Sequence, residues 1–255
     1  MPLELVTLPC LADNYAYLIH DPETGATAVV DVPDAAPIQA ALAERGWLLS
    51  DIWLTHHHSD HIDGVPALRA ATGAKVSGAA ADAHRLPPLD VALAAGTSFA
   101  FAGHAVQVID VPGHTVGHIA FHIPDAALAF TGDSLMSAGC GRLFEGTPAQ
   151  MWQSLSTLAA LPPDTLICSG HEYTTSNIRF ALSLEPGNND LISRSERVTK
   201  ARQQGRPTVP VRLSEELATN PFLRAPLPQM KVSVGLPDAT DADCFAAIRA
   251  RKDRF

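Results

Sequence analysis

The six residues His56-His57-His58-Ser59-Asp60-His61 concentrate ligand-type side chains. Imidazoles and a carboxylate at this density crowd like dipoles around a charge, which is unfavourable unless a cation compensates them. Three further apolar runs end in the same kind of residue. Residues 106–111 lead into Pro112-Gly113-His114, residues 127–130 into Thr131-Gly132-Asp133, and residues 166–169 into Gly170-His171. A lone histidine at such an end is more often a satisfied polar residue than a ligand, but five histidines and two aspartates exceed what one four-coordinate zinc ion uses. Two divalent ions are therefore expected. The natural division gives His56, His58 and His114 to one and Asp60, His61 and His171 to the other, with Asp133 bridging. Paired ions of this kind sit roughly 3.5–4 Å apart and share a water of pKa near 7, so a bridging hydroxide is available as nucleophile.

The elements that must position these groups read as α/β. Residues 51–55 form a buried strand, and continued extension would send His56, His58 and Asp60 one way and His57 the other, with His61 brought in by a turn. Strands are also expected over residues 15–20, 26–32, 105–111, 119–123, 127–131 and 165–169, and helices over 35–44, 65–71 and 149–160. Ligands then collect at carboxyl strand ends, where loops converge without disturbing the core. After Tyr173 the chain turns to polar helical stretches, 189–204, 214–218 and 242–251, joined by Pro-rich loops. The expected domains are residues 1–172, which bind metal and catalyse, and a small helical domain, residues 173–255. His20, His84 and His104 are assigned to the surface, and His118 and His122, on one strand face, to supporting roles.

The 255-residue chain is 46% hydrophobic and 18% charged, as in an ordinary globular protein. Its net charge of −9 argues against nucleic acid as a partner. No signal-like segment opens residues 1–21 and no apolar run reaches membrane-spanning length, so the protein is expected to be cytoplasmic, without a membrane partner and monomeric. Cys10, Cys140, Cys168 and Cys244 lack paired spacing and read as reduced thiols.

Thr55-His56-His57-His58-Ser59-Asp60-His61, with His114, Asp133 and His171, resembles the signature of the metallo-β-lactamase superfamily. Four further segments narrow the resemblance to the hydroxyacylglutathione hydrolases (glyoxalase II): residues 139–147, Gly170-His171-Glu172-Tyr173-Thr174, Glu185-Pro186-Gly187-Asn188 and the ending 248–255. That resemblance implies a four-layer αββα sandwich with a dinuclear site, followed by a helical domain that binds glutathione. It implies hydrolysis of S-D-lactoylglutathione to glutathione and D-lactate, the second step of methylglyoxal detoxification. The same seven side chains match the family's metal ligands, Asp60 and Asp133 acting in catalysis with the hydroxide. Substrate contacts fall on Arg142, Phe144, Tyr173, Arg249 and Lys252. Animal members carry Lys at position 142 and Tyr at 144; Arg142 keeps the charge, whereas Phe144 lacks the hydroxyl.

Charge supports that substrate. Glutathione carries two carboxylates, and Arg249 and Lys252 stand at i and i+3 on a helix face, although cations also complement a helix C-terminus. The thiolate is a good leaving group, so no protein general acid is needed. Asp60 would orient the hydroxide, and Tyr173 would donate to the glutathione backbone or pack at the domain junction. Zinc, iron and manganese all suit nitrogen and oxygen ligands without thiolate, zinc being the first expectation. The rival readings are a mononuclear-iron glutathione persulfide dioxygenase, another hydrolase of the superfamily, and a non-catalytic metal-binding module.

Overall fold

In a computed structural model, residues 2–255 are described; Met1 of the N-terminal stretch lies outside them. The chain forms two compact units, residues 1–110 with 117–132, and residues 111–116 with 133–255.

In the first unit, β1 (Glu4–Cys10), β2 (Asn14–His20), β3 (Thr27–Val30), β4 (Asp51–Trp53), β5 (Lys75–Ala79) and β6 (Val91–Leu93) make one sheet in that order. The first three pair antiparallel and the rest parallel. Parallel neighbours need crossovers: α1 (Ala35–Arg45) links β3 to β4, α2 (Ser59–Ile62) and α3 (Val65–Thr72) link β4 to β5, and residues 80–90, which open with one turn of 3-10 helix, link β5 to β6. Helix α1 starts where the Asp34 carboxylate accepts the Ala36 N–H, and stops at Gly46, whose φ of 66° suits glycine. A second, antiparallel set follows: β7 (Ser98–Phe101), β8 (His104–Asp110), β9 (Ile119–Ile123) and β10 (Leu128–Gly132).

Strand β4 explains the layering. Ile52 and Leu54 join Ile38 and Leu42 of α1 and Val65 and Leu68 of α3 in one core. Trp53, on the opposite face, meets Phe99 and Phe101 edge-on with centroids 5.2 Å away, and Phe121 at 5.5 Å. A strand buried on both faces reads as an unbroken apolar run, and the unit stacks helices on sheet on sheet.

The second unit contains the short hairpin β11 (Leu135–Met136) and β12 (Gly139–Cys140), and the antiparallel pair β13 (Leu166–Ser169) and β14 (Val211–Arg212). Its helices are α4 (Pro148–Ala159), α5 (Thr174–Leu184), α6 (Asn189–Gln203), α7 (Leu213–Thr219), α8 (Pro228–Ser233) and α9 (Asp241–Lys252). Trp152 of α4 packs near Phe245 of α9 at 6.1 Å.

Every strand and helix expected from the sequence is present, with ends shifted by at most two residues. Strand β1 goes unread because Pro9 interrupts its pattern; it lies at the sheet edge, where proline is tolerated. His20 corrects an expectation: it is buried, stacked on Trp47 at 4.1 Å, with Nδ1 2.9 Å from Thr27 Oγ1, because β2 is buried along its whole length. His84 is exposed and His104 half-buried beside Asp125. All four cysteines are buried free thiols. Among the described residues, no helix is long and apolar enough to cross a membrane.

Candidate metal centre

The first unit presents His56, His58, Asp60 and His61 beyond β4. His58 is still extended (φ −62°, ψ 142°), but α2 begins at Ser59. Strand alternation therefore ends at His58, and Asp60 is delivered by the first helical turn, a correction to the expected extended run. Asp60 accepts from Asn14 Nδ2 at both its carbonyl (2.9 Å) and Oδ2 (3.1 Å).

Asp31, directly after β3, organises the buried rings. Its Oδ1 accepts the Thr55 N–H at 2.9 Å, and its Oδ2 accepts from Thr55 Oγ1 and from His61 Nδ1, both at 2.8 Å. A hydroxyl has one proton, and that of Thr55 goes to Asp31, so Thr55 Oγ1 accepts from His56 Nδ1 at 3.0 Å. Both His56 and His61 thus carry their proton on Nδ1 and offer the Nε2 lone pair, the tautomer a metal requires. His56 Nε2 lies 3.1 Å from His58 Nδ1, and Asp31, His56 and His61 cluster within 4.8 Å. His118 stacks over His56 at 4.6 Å and supports its ring. His57 turns to Asp82, 2.9 Å away, and His122 to Gln107, where burial lowers its pKa.

The second unit presents His114, Asp133 and His171, all at least 95% buried. His114 Nδ1 is 2.8 Å from the Arg142 carbonyl, which can only accept, so the neutral ring again offers Nε2. That nitrogen lies 3.4 Å from Asp133 Oδ2, and His171 Nε2 lies 3.3 Å from the same oxygen. A lone pair facing a carboxylate at this distance calls for a proton or a cation between them. The donor set, nitrogen and oxygen without thiolate, fits a divalent metal. Close approach requires Gly141: a Cβ there would stand 2.0 Å from the Asp133 carbonyl oxygen and 2.9 Å from His114 Nδ1.

Around these donors the same unit places the expected substrate residues. Arg142 is exposed, the exposed Phe144 ring meets His114 edge-on at 5.2 Å, and Tyr173 stacks on His171 at 4.7 Å. Arg249 and Lys252 share a face of α9 but differ in freedom. Arg249 is buried, donating to the Cys140 carbonyl at 3.0 Å and to Asp253 at 2.8–3.0 Å. Lys252 donates to the Ser176 carbonyl at 3.1 Å and lies beside the Phe180 and Phe255 rings. Burial, then the charges of Arg249, Arg179 and Arg142, push its ammonium down to about 8. An anion placed among these cations relieves that repulsion.

Sequence reading missed Asp31, Asn14 and Arg179, and named Thr55 only as the first residue of its motif. The strand-end rule that located the candidate ligands also finds Asp31 when applied after residues 27–30; Asn14 and Arg179 carry no local signal.

Residues 172–255 match the family described as hydroxyacylglutathione hydrolase C-terminus, and residues 13–171 match the metallo-beta-lactamase superfamily. The chain is 67% identical over 255 residues, all of both chains, to a hydroxyacylglutathione hydrolase of Fuscovulum blasticum. Among solved structures it is similar to ETHE1 from Myxococcus xanthus (25% identity, TM-score 0.69, 98% of this chain and 90% of that one). It is also similar to TTHA1623 in a di-iron-bound form (32% identity, TM-score 0.56, 66% of this chain and 91% of that one). With its layered α/β unit, helical C-terminal segments and buried histidine–aspartate donors, the chain belongs to the hydroxyacylglutathione hydrolase family of the metallo-beta-lactamase superfamily.

Proposed function

We propose that this chain is a thiolester hydrolase that converts S-D-lactoylglutathione and related S-(2-hydroxyacyl)glutathiones to glutathione and the free hydroxy acid. The observation that carries the reading is the convergence of His114 Nε2 and His171 Nε2 on Asp133 Oδ2 in a chain of this family. His56, His58 and His114 would hold one ion, Asp60, His61 and His171 a second, and Asp133 both; zinc comes first, and the di-iron form of TTHA1623 keeps iron in view. Bound metal supplies Lewis acidity and a water acidified to near neutrality.

The side chains do the rest. Asp31 and the Arg142 carbonyl hold the Nδ1 protons of His61 and His114, and so orient the rings. Lys252 and Arg142 attract the glutathione carboxylates, Arg249 backs them with its charge, and Tyr173 donates from beside His171. Phe144 offers an apolar ring in place of a hydroxyl. Residues 1–172 would serve as the catalytic domain and 173–255 as the glutathione-binding domain, in a cytoplasmic monomer with no nucleic-acid or membrane partner.

The test is hydrolysis of S-D-lactoylglutathione by purified protein before and after chelation, with metal counted on the same sample. The expected outcome is rapid, chelator-sensitive turnover with about two ions per chain, and loss of both turnover and metal in Asp133→Ala. Absence of turnover at full metal content would overturn the hydrolase reading in favour of a persulfide dioxygenase, detectable as oxygen uptake.

A further inference from the structure

The hairpin β11–β12 carries an expected metal ligand at one end and a ligand's hydrogen-bond acceptor at the other. Asp133 lies two residues before β11, and Arg142, whose carbonyl accepts from His114 Nδ1, lies two residues after β12. The Gly141 N–H donates to the Ser134 carbonyl at 3.1 Å and ties the two ends together. Two residues per strand cannot satisfy the buried backbone of this hairpin, whose turn includes Ala138 at φ 54°.

Side chains from far along the sequence satisfy it instead. The Ala138 N–H donates to both carboxylate oxygens of Glu216, at 2.9 and 3.1 Å. Asn220 Nδ2 donates to the carbonyls of Met136 (3.2 Å) and Gly139 (2.9 Å) and to Glu216 Oε2 (2.8 Å). Asn177 Nδ2 donates to the Ser137 carbonyl at 3.0 Å. Arg194 pairs with Glu216 and donates to Ser137 Oγ at 2.8 Å and Thr219 Oγ1 at 2.5 Å. Glu216 and Asn220 are fully buried and Arg194 nearly so.

A buried ion pair is a weak source of stability, since apolar replacements often fold as well; its better-attested use is to fix one arrangement among alternatives. Here that arrangement is the hairpin. We propose that Glu216, with Arg194 and Asn220, is a positioning group that sets the Asp133 carboxylate and the Arg142 carbonyl, and through them the donor geometry at His114. The inference rests on the reading of His114, Asp133 and His171 as ligands. It gives the C-terminal helices a role in building the metal centre, beside the binding of glutathione.

Glu216→Gln tests it, because the amide keeps an acceptor for Ala138 but sets a donor or a neutral oxygen against Arg194. Glu185→Gln is the control: Glu185 makes a bidentate pair with Arg224 (2.7 and 2.8 Å) elsewhere in the same unit. Metal affinity would be measured by competition with a chromophoric chelator, alongside melting of the metal-free protein and kcat and KM for the thioester. Displaced supports of metal ligands typically weaken binding or activity 10–100-fold. The expected result for Glu216→Gln is metal affinity and kcat each reduced about tenfold or more. Glu185→Gln should lower only the melting temperature. Wild-type metal affinity in Glu216→Gln, or equal losses in both variants, would overturn the proposal. If Glu216→Gln does not fold, the apolar pair Arg194→Met with Glu216→Leu is measured in the same way. Failure of the wild type to hydrolyse the thioester would strike the substrate reading, whereas the affinity comparison is independent of substrate.

Discussion

On the proposed reading, Lys252 links a single ionisation to substrate capture. Its pKa of about 8, against an ordinary 10.5, means the cation disappears as pH rises through 8. KM for an anionic thioester should therefore climb between pH 7 and 9 while kcat stays level, and kcat/KM should report the ionisation of the free enzyme. Lys252→Arg keeps its charge throughout and should flatten the profile, whereas Lys252→Ala should raise KM already at pH 7. A wild-type KM that ignores pH in this window would remove Lys252 from the binding site. The stability effect has the opposite sense. A depressed ammonium pKa disfavours the protonated fold below pH 8, so stability from this group grows between pH 8 and 10.5. The candidate ligands were legible because type and spacing declare them within a few positions. Asp31 also stands at a strand end, but its role there, holding Thr55 and His61, comes from residues 24 and 30 positions away and is visible only in the fold.

Helix α4 shows how strongly local chemistry can specify an element. Thr147 Oγ1 accepts the Gln150 N–H while Gln150 Oε1 accepts the Thr147 N–H, and Pro148 occupies the first turn. Thr147→Ala should cost about 1 kcal/mol and lower the melting temperature by roughly 2–4 °C. Metal content should not change; a fall would mean the cap reaches the site through Ser154, which donates to the Pro112 carbonyl at 2.7 Å near His114. Asp34 and Thr240 cap α1 and α9 in the same way, at starts that patterning alone places within one residue. Helix α5 opens with the polar, β-branched run Thr174-Thr175-Ser176-Asn177, which reads as loop until its buried face is seen. The hairpin β11–β12 is too short for any periodicity, and its reason for existing lies in Glu216 and Asn220, some 80 residues on.

The assembled chain carries a net charge of −9, yet Arg142, Arg179, Arg249 and Lys252 concentrate positive potential in one unit, suited to an anion that the remaining surface repels. The two compact units exchange chain after residues 110, 116 and 132, and no change in composition marks those crossings, because compactness depends on contacts between distant residues. The buried cysteines have a redox consequence. The proposed reaction liberates glutathione at every turnover, so the protein works beside a steady supply of thiol and, in oxidising episodes, of its disulfide. Thiolate is the form that enters exchange. Burial raises Cys10 and Cys140 to about 11 and lifts Cys168 and Cys244 as well. At neutral pH these four sulfurs should resist an aromatic disulfide reagent in the native protein and react fully once it is denatured; rapid native labelling would contradict this. An enzyme that manufactures a thiol would then be insulated from mixed-disulfide formation with its own product.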